Sequence, residues 1–335
     1  MNRNPFLTQQ QDGSVKAVFS GPKAPLTCIA LGGPNGKTLF AGCWDKMVYS
    51  WEVGAEDKGA PYRYSGHSDF VKAVVCTWIG DRSILISGGA DRRILVWDIE
   101  TSKLLHSLQD TSQNMLAVQS LAIDPFESDK HEVLLFSASS DPHIRRWKIR
   151  LDGWEKVVES RVDAAGKDQY TILEHETTVY KLVFNDDDCE TDLYTASADG
   201  TAKCLSRLPN FAAQDTYKHG DHVRAIAVTD QWLITAGRDE NLKIWDRFYR
   251  NLYTTLEGHF DEITDLVLLE DGRLCSVSLD GTIRTWSLEK RLIDAVRKEQ
   301  EDAADGKVDE EVPTTAPGVM TEDEEAELAA LMDDV

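Results

Sequence analysis

Short apolar runs rich in β-branched residues alternate along this chain with tight polar turns. Ile84–Ser87 (ILIS) and Arg93–Trp97 (RILVW) flank one such turn, and Trp232–Thr235 (WLIT) and Asn241–Trp245 (NLKIW) flank another. Runs this short, bounded by turn residues, predict strands rather than helices. Each turn carries an Asp, and a Trp follows it by six positions: Asp91 to Trp97 and Asp239 to Trp245. The same interval separates Asp45 from Trp51, Asp141 from Trp147 and Asp280 from Trp286, and a sixth copy, SADGTAKCL, has Leu205 where Trp is expected after Asp199. Successive Asp positions lie 46, 50, 58, 40 and 41 residues apart. That is close to the roughly 40 to 45 residues of a four-stranded propeller blade.

On these repeats the chain, from about Gly13 to Leu288, resembles the WD-repeat β-propeller family. The resemblance implies an all-β fold in which each blade has strands a to d. It also implies a hydrogen-bonded set of four side chains: His in the d-to-a loop, Ser or Thr on strand b, Asp in the b-to-c turn and Trp on strand c. Trp can only donate and carboxylate can only accept, while hydroxyl and imidazole do both, so the chain of bonds can be satisfied. Three copies match fully: His67, Ser87, Asp91 and Trp97; His219, Thr235, Asp239 and Trp245; His259, Ser276, Asp280 and Trp286. The first copy has Pro22 and Ala41 at the His and Ser positions, the third is aligned with Asn114 for His, and the fourth keeps His175, Thr195 and Asp199 but has Leu205. Those three blades are expected to rely on packing more than on polar networks.

Six blades are expected, with seven the alternative that the family suggests. The long interval WKIRLDGWEKVVESRVDAAGKDQYTILEH after Trp147 contains two candidate strands, EKVVESRV and QYTILEH. They suffice for an extended d strand with an insertion but not for a blade. No d strand follows Trp286, whereas Ser14–Ser20 reads as one, so the N-terminal strand is expected to close the ring and remove the free edges. The expected organisation is an N-terminal arm (1–12), the propeller (13–286), a helix packed on it (287–304) with Leu288, Leu292, Ile293 and Val296 on one face, and an acidic flexible tail (305–335).

Composition narrows the function. The formal net charge is −22, of which −13 falls between Glu299 and Val335. An acidic body of pI about 4.7 argues against direct nucleic-acid binding and favours protein partners, basic ones among them. No cysteine pair has C-x-x-C spacing, and neither a signal sequence nor an apolar run long enough for a membrane span is read, so a soluble cytoplasmic or nuclear protein is expected. His219-Gly-Asp-His222 looks like a metal cluster in isolation, but His219 fills the repeat position. NDDDCETD (Asn185–Asp192) starts like a calcium loop and then has Thr191 and Ser197 where Gly and Glu are required, so a solvated acidic loop is the reading. No nucleophile motif or phosphate loop stands outside the repeats, so neither enzyme activity nor a cofactor, metal or small-molecule substrate is expected.

Function is therefore expected on surfaces. The d-to-a and b-to-c loops share one face, where Trp44, Phe70, Arg92, His222, Arg238 and Phe260 form an aromatic and Arg-rich set suited to protein binding; Phe70 and Phe260 serve equally well as plugs of the central channel. The opposite face collects Glu127, Asp129, Asp186 to Asp188, Glu190, Asp192, Glu270 and Asp271. In the tail, Thr321 and Glu324 make a capping box, and Leu328, Leu331 and Met332 share a helical face that would form on a partner, or the tail only adds solubility. Three roles compete: an interaction scaffold or adaptor in an intracellular complex, an escort of a basic client such as a ribosomal protein or histone, and a ubiquitin-ligase substrate receptor. The cullin-4 type of receptor places Arg two residues after the Asp of the Trp-Asp pair; here Arg247 follows Asp246 directly and Phe248 comes second.

Overall fold

The computed structural model describes residues 19–54, 60–126, 131–162, 168–185, 192–208 and 210–304. Its strands fall into successive antiparallel sheets that follow the repeat. Blade 1 has β1 (Leu26–Gly32), β2 (Thr38–Cys43), β3 (Met47–Glu52) and β4 (Tyr62–Ser65). Blade 2 has β5 (Val71–Ile79), β6 (Arg82–Gly89), β7 (Ile94–Asp98) and β8 (Lys103–Leu108). Blade 3 has β9 (Val118–Ile123), β10 (Glu132–Ser139), β11 (His143–Arg150) and an outer edge from β12 (Trp154–Lys156) and β15 (Ile172–Leu173). Blade 4 has β16 (Val179–Phe184), β17 (Leu193–Ser197), β18 (Thr201–Ser206) and β19 (Ala212–Lys218). Blade 5 has β20 (Val223–Val228), β21 (Trp232–Gly237), β22 (Leu242–Asp246) and β23 (Asn251–Leu256), and blade 6 has β24 (Ile263–Leu268), β25 (Arg273–Ser278) and β26 (Ile283–Ser287). A helix, α1 (Lys290–Ala304), follows; it starts later than the pattern from Ser287 predicts because Ser287 completes β26. Ile293 on the predicted apolar face is fully buried.

Six blades are what the repeat predicts, and the long interval resolves as an interrupted outer strand. Both β12 and β15 pair with β11, the first against Trp147–Ile149 and the second against His143 and Ile144. Between them a hairpin, β13 (Glu159–Val162) with β14 (Asp168–Gln169), leaves the sheet. Arg146 anchors its base through two 2.8 Å bonds to Glu159. The residues of the expected closing strand before Phe19 lie outside the described residues, and among those described blade 6 has three strands.

Burial follows strand alternation. One face of each blade packs on the next: Ile86, Ile94 and Val96 of blade 2 meet Val118, Leu121, Leu135 and Trp147 of blade 3 in one cluster. Phe136 and Ile144 of blade 3 meet Val179, Leu182 and Leu205 of blade 4 in the next. Core side chains in such contacts contribute roughly 1.5–3 kcal/mol each on burial, so these apolar stacks carry most of the fold's stability.

Candidate functional site

The loop face is built by one repeated backbone bond. In every blade the residue before the turn Asp donates its N–H to a carbonyl in the d-to-a loop: Trp44 to Pro25, Ala90 to Phe70, Ser140 to Ala117, Ala198 to Thr178, Arg238 to His222 and Leu279 to Glu262, all at 2.7–3.1 Å. The bond places Trp44 and Arg238 at one equivalent position and Phe70 and His222 at another. Beneath it the side-chain sets lock the loops. His67 reaches Asp91 at 3.0 Å and Ser87 at 2.9 Å, and Trp97 donates to Ser87 at 3.1 Å. His259 does the same with Asp280 (2.9 Å) and Ser276 (2.7 Å), with Trp286 donating to Ser276 at 2.8 Å. In blade 5 the imidazole is turned over: Nδ1 faces Thr235 at 2.9 Å, Nε2 faces Asp239 at 2.8 Å, and Trp245 donates to Thr235 at 2.8 Å.

These bonds set the acidity of the turn carboxylates. Burial alone would raise Asp239, but hydrogen bonds from His219 and Lys243 outweigh it and hold the carboxyl at about 2. Asp91, Asp199 and Asp280 are shifted down in the same way, each burial effect being overcome by its His partner and nearby donors.

The three incomplete blades, expected to rely on packing more than on polar networks, still carry polar contacts at these positions. In blade 4, His175 still bonds Asp199 at 2.8 Å and Thr195 at 2.7 Å, with Leu205 buried where Trp would stand. In blade 1, Tyr49 donates its hydroxyl to Asp45 at 2.5 Å, and Trp51, facing Ala41 rather than a hydroxyl, donates to the Ser20 carbonyl at 3.1 Å. In blade 3 the His position is held by Met115, not Asn114. Leu116 donates its N–H to Asp141 as Ser68, next to His67, does to Asp91. Charge enters from the other side: the fully buried Arg145 donates to Asp110 (3.0 Å), Ser139 (2.9 Å), both Asp141 oxygens (3.1 and 3.2 Å) and the His143 carbonyl (3.2 Å). Lys156 completes the balance with a 2.7 Å bond to Asp110. That carboxyl is held well below its usual range, its burial outweighed by Lys156, Ser112 and Arg145.

On this frame the predicted binding residues separate. Trp44 and Phe70 come together as a stack across blades 1 and 2, centroids 5.1 Å apart and planes inclined by 15°, and both remain substantially exposed at 49% and 38%. Arg92, in the b-to-c turn of blade 2, stands exposed at φ 66°, and its backbone N–H donates to the Gly89 carbonyl. Phe260 is exposed with the Arg284 guanidinium 5.7 Å from its ring centre, on blade 6. His222 and Arg238 belong to blade 5, the first half-buried and the second exposed. Arg247 is engaged by the Tyr194 hydroxyl and the Thr229 and Asp230 carbonyls, so its guanidinium serves the bottom of blade 5.

On the opposite face, Asp192 accepts from the Arg207 backbone and Asp271 pairs with Arg273, while Glu127, Asp129, Asp186 to Asp188 and Glu190 lie outside the described residues. Sequence reasoning missed the exposed apolar residues of this face: Phe126, Leu208, Phe248 and Tyr249. They sit in turns between strands, where no periodicity marks them. The tail residues Leu328, Leu331 and Met332 also lie outside the described residues. Among the described residues no group of three or more His, Cys, Asp or Glu side chains is arranged to hold a metal ion, and no helix is long and apolar enough to cross a membrane.

Comparison with known proteins gives a consistent picture. The profile of the WD domain, G-beta repeat, matches residues 13–52, 60–98, 166–205, 213–246 and 250–287. Blade 3, with Met115 and Arg145 in place of the usual set, falls between the second and third of these. An uncharacterized WD repeat-containing protein of Schizosaccharomyces pombe is 28% identical over 94% of this chain and 78% of its own length. Guanine nucleotide-binding protein subunit beta-1 of Nicotiana tabacum is 25% identical over 84% of this chain and 73% of its own. Nuclear distribution protein PAC1 of Arthroderma otae is 25% identical, and the chain spans about half, 52%, of its length. Among solved structures, the WD40 β-propeller domain of Doa1 superposes with a TM-score of 0.61 at 21% identity, covering 80% of each chain.

Proposed function

We propose, since this chain belongs to the WD-repeat family of β-propellers, that it is a non-enzymatic adaptor of an intracellular complex in the cytoplasm or nucleus, binding other proteins through the loop face. The observation that carries this reading is the Trp44–Phe70 stack: two large apolar rings, solvent-exposed, on turns locked by backbone bonds and the His67–Asp91 pair. Rigid, exposed aromatics lose little entropy on binding and bury large areas, which is why they dominate binding energetics. Arg92, in the b-to-c turn of blade 2 on the same loop face, is kept in a left-handed conformation that a bulky residue adopts at a cost. Arg238, His222 and Phe260 extend the surface across blades 5 and 6. Basic partners suit the net charge of −22, and the tail residues Leu328, Leu331 and Met332 are a second contact for them. An escort role for a basic client rests on that same charge.

The test is affinity purification with quantitative mass spectrometry. Wild-type chain is compared with the double variant Trp44→Ala/Phe70→Ala, with Phe248→Ala/Tyr249→Ala on the opposite face, and with a chain ending at Lys298. Loss of a discrete partner set with the first variant, at unchanged melting temperature, supports the adaptor reading. Retention of every partner by the first variant refutes it, and salt-sensitive loss of small basic proteins with the truncated chain alone favours the escort role.

A further inference from the structure

Charge is unevenly placed around the loop face. The residue after the turn Asp is Lys46, Arg92, Pro142, Gly200, Glu240 and Gly281 in blades 1 to 6. Cations therefore occupy this position in blades 1 and 2, where Arg93 follows Arg92, and all three side chains are exposed. Lys46 and Arg92 hold φ values of 76° and 66°, a backbone that blades 4 and 6 give to Gly200 and Gly281. A side chain at such φ is less favourable than glycine, so local stability does not account for a cation in both turns. Among the described residues none of the three has an ion-pair partner, whereas Arg224 pairs with Glu262, Lys243 with Asp239 and Lys181 with Asp265.

The turns that carry these cations also hold the aromatic stack. Lys46 lies two residues past Trp44, and its N–H closes that turn on the Cys43 carbonyl at 3.3 Å. The Phe70 carbonyl accepts the Ala90 N–H at 2.7 Å, which ties the turn of Arg92 and Arg93 to the residue bearing the second ring. Lys72, two residues past Phe70, is half-buried with the neutral Gln119 as its partner at 3.2 Å, and burial and the charge of Arg224 lower its pKa. The acidic residues of these loops are engaged locally. Asp45 accepts from the Tyr49 hydroxyl and the Met47 N–H, Asp91 from His67 and the Ser68 and Arg93 N–H groups, and Asp69 from the Phe70 N–H. Blades 5 and 6 differ in sign, with Glu240 and Asp261 exposed on the same face.

We infer that the sector of blades 1 and 2 seats a linear segment of a partner protein in which Asp and Glu residues flank an aromatic or aliphatic side chain. The apolar group lies against the Trp44–Phe70 stack, and the carboxylates meet Lys46, Arg92 and Arg93. The inference rests on the adaptor reading and adds the chemistry of the bound segment, opposite in sign to the basic partners that the net charge of −22 suits. Carboxylates fit better than phosphate because phosphate sites gather free backbone N–H groups. Here those of both turns are taken: Lys46 by Cys43, Met47 by Asp45, Arg92 by Gly89 and Arg93 by Asp91. Separate cations on flexible stems suit single charges spread along a chain. A single-stranded nucleic acid could stack on the rings, but a long polyanion meets the repulsion of the whole acidic chain. A short segment meets mainly the local cations, because exposed charges beyond about 8–10 Å are screened.

The experiment selects phage-displayed random dodecapeptides on the full chain and sequences those enriched. Wild type is compared with the charge reversal Lys46→Glu/Arg92→Glu/Arg93→Glu, with Trp44→Ala/Phe70→Ala, and with Phe248→Ala/Tyr249→Ala on the opposite face. The reversed turns should keep their conformation, since blade 5 holds Glu240 at this position at φ 66°. Should the reversed chain melt early, Lys46→Gly/Arg92→Gly, with the residue of blades 4 and 6, serves the same purpose. Wild type is expected to enrich peptides with Asp and Glu on both sides of an aromatic or aliphatic residue. The charge reversal loses that bias, the ring variant loses the selection, and the opposite-face variant matches wild type. One enriched peptide, labelled for fluorescence anisotropy, should bind the charge-reversed chain at least about tenfold more weakly. Enrichment without acidic residues, an acidic bias that survives charge reversal, or no enrichment overturns the proposal. So does binding tighter by about tenfold or more of the same peptide with phosphoserine for its Asp and Glu, or of a single-stranded oligonucleotide of equal length. If the ring variant loses its protein partners while the acidic bias is absent, the adaptor reading stands and the charge chemistry falls; if the ring variant keeps every partner and peptide, both fall.

Discussion

Blade 3 offers a direct test of how a propeller replaces a missing histidine. Replacing Arg145 by Leu, the residue that blade 2 has at the equivalent Leu95, removes five hydrogen bonds and the positive charge facing Asp141. Asp110 keeps Lys156 and Ser112, so most of the penalty falls on Asp141, whose side chain is only 10% exposed and retains two backbone donors, Leu116 and His143, and the Ser139 hydroxyl. Removing one member of a buried ion pair typically costs about 3–5 kcal/mol; with one of the two carboxylates still paired, the lower end, about 3 kcal/mol, is expected. That corresponds to a fall in melting temperature of roughly 6–12 °C for a domain of this size. The second half of the test adds Met115→His. The new imidazole sits where His67 sits in blade 2, within reach of Asp141 and Ser137, and Trp147 already donates to Ser137 at 2.8 Å. Two bonds regained return about 1–2 kcal/mol in the Arg145→Leu background and nothing in the wild-type chain, where Arg145 occupies Asp141. Urea unfolding of the four chains of this cycle reads the coupling. A loss below about 1 kcal/mol for Arg145→Leu, or the same effect of Met115→His in both backgrounds, would refute the reasoning.

Three further outcomes are expected. The carboxyl of Asp239 lies at about 2 in the folded chain, below its ordinary value of 3.8, so its contribution of about 2 kcal/mol is present above pH 4 and lost as pH falls from 4 to 2; Asp239→Asn should flatten that stretch of the stability curve measured by urea unfolding. Lys46 and Glu240 hold φ values of 76° and 66° in turns where blades 4 and 6 use Gly200 and Gly281, so Lys46→Gly and Glu240→Gly should leave stability unchanged or raise it by up to about 1 kcal/mol in thermal melts, and Gly281→Ala should lower it. Ser87→Ala strands both the Trp97 indole and a His67 nitrogen, and should cost about 2–3 kcal/mol, whereas Ala41→Ser in blade 1, with Pro22 and no imidazole opposite, should not gain the equivalent amount.

Blade number and strand order were legible because one polar turn and one indole recur at a fixed interval, a signal that survives the loss of Trp at Leu205. The polar chemistry of blade 3 was not legible. Its histidine position shifts by one residue, from Asn114 to Met115, and its substitute, Arg145, is on strand c, outside the family's motif. The aromatic stack was half legible: Trp44 and Phe70 could be assigned to one face, but their contact depends on two loops 26 residues apart converging on neighbouring blades. The exposure of Ile29 and Ile283 left no trace at all, since both obey the same alternation as their buried equivalents. Periodicity reports which way a side chain points, not whether a neighbour is there.

The inverted imidazole of blade 5 has a consequence for spectroscopy. A carboxylate can only accept, so in blades 2, 5 and 6 a neutral histidine carries its proton on the ring nitrogen facing the Asp, and its other nitrogen accepts the O–H of the hydroxyl that also accepts from the indole. His67 and His259 are thereby Nδ1–H tautomers and His219 an Nε2–H tautomer. Nitrogen-15 imidazole spectra should therefore give His219 its own signature, an internal label from which the integrity of blade 5 can be followed while the rest of the ring unfolds or is loaded.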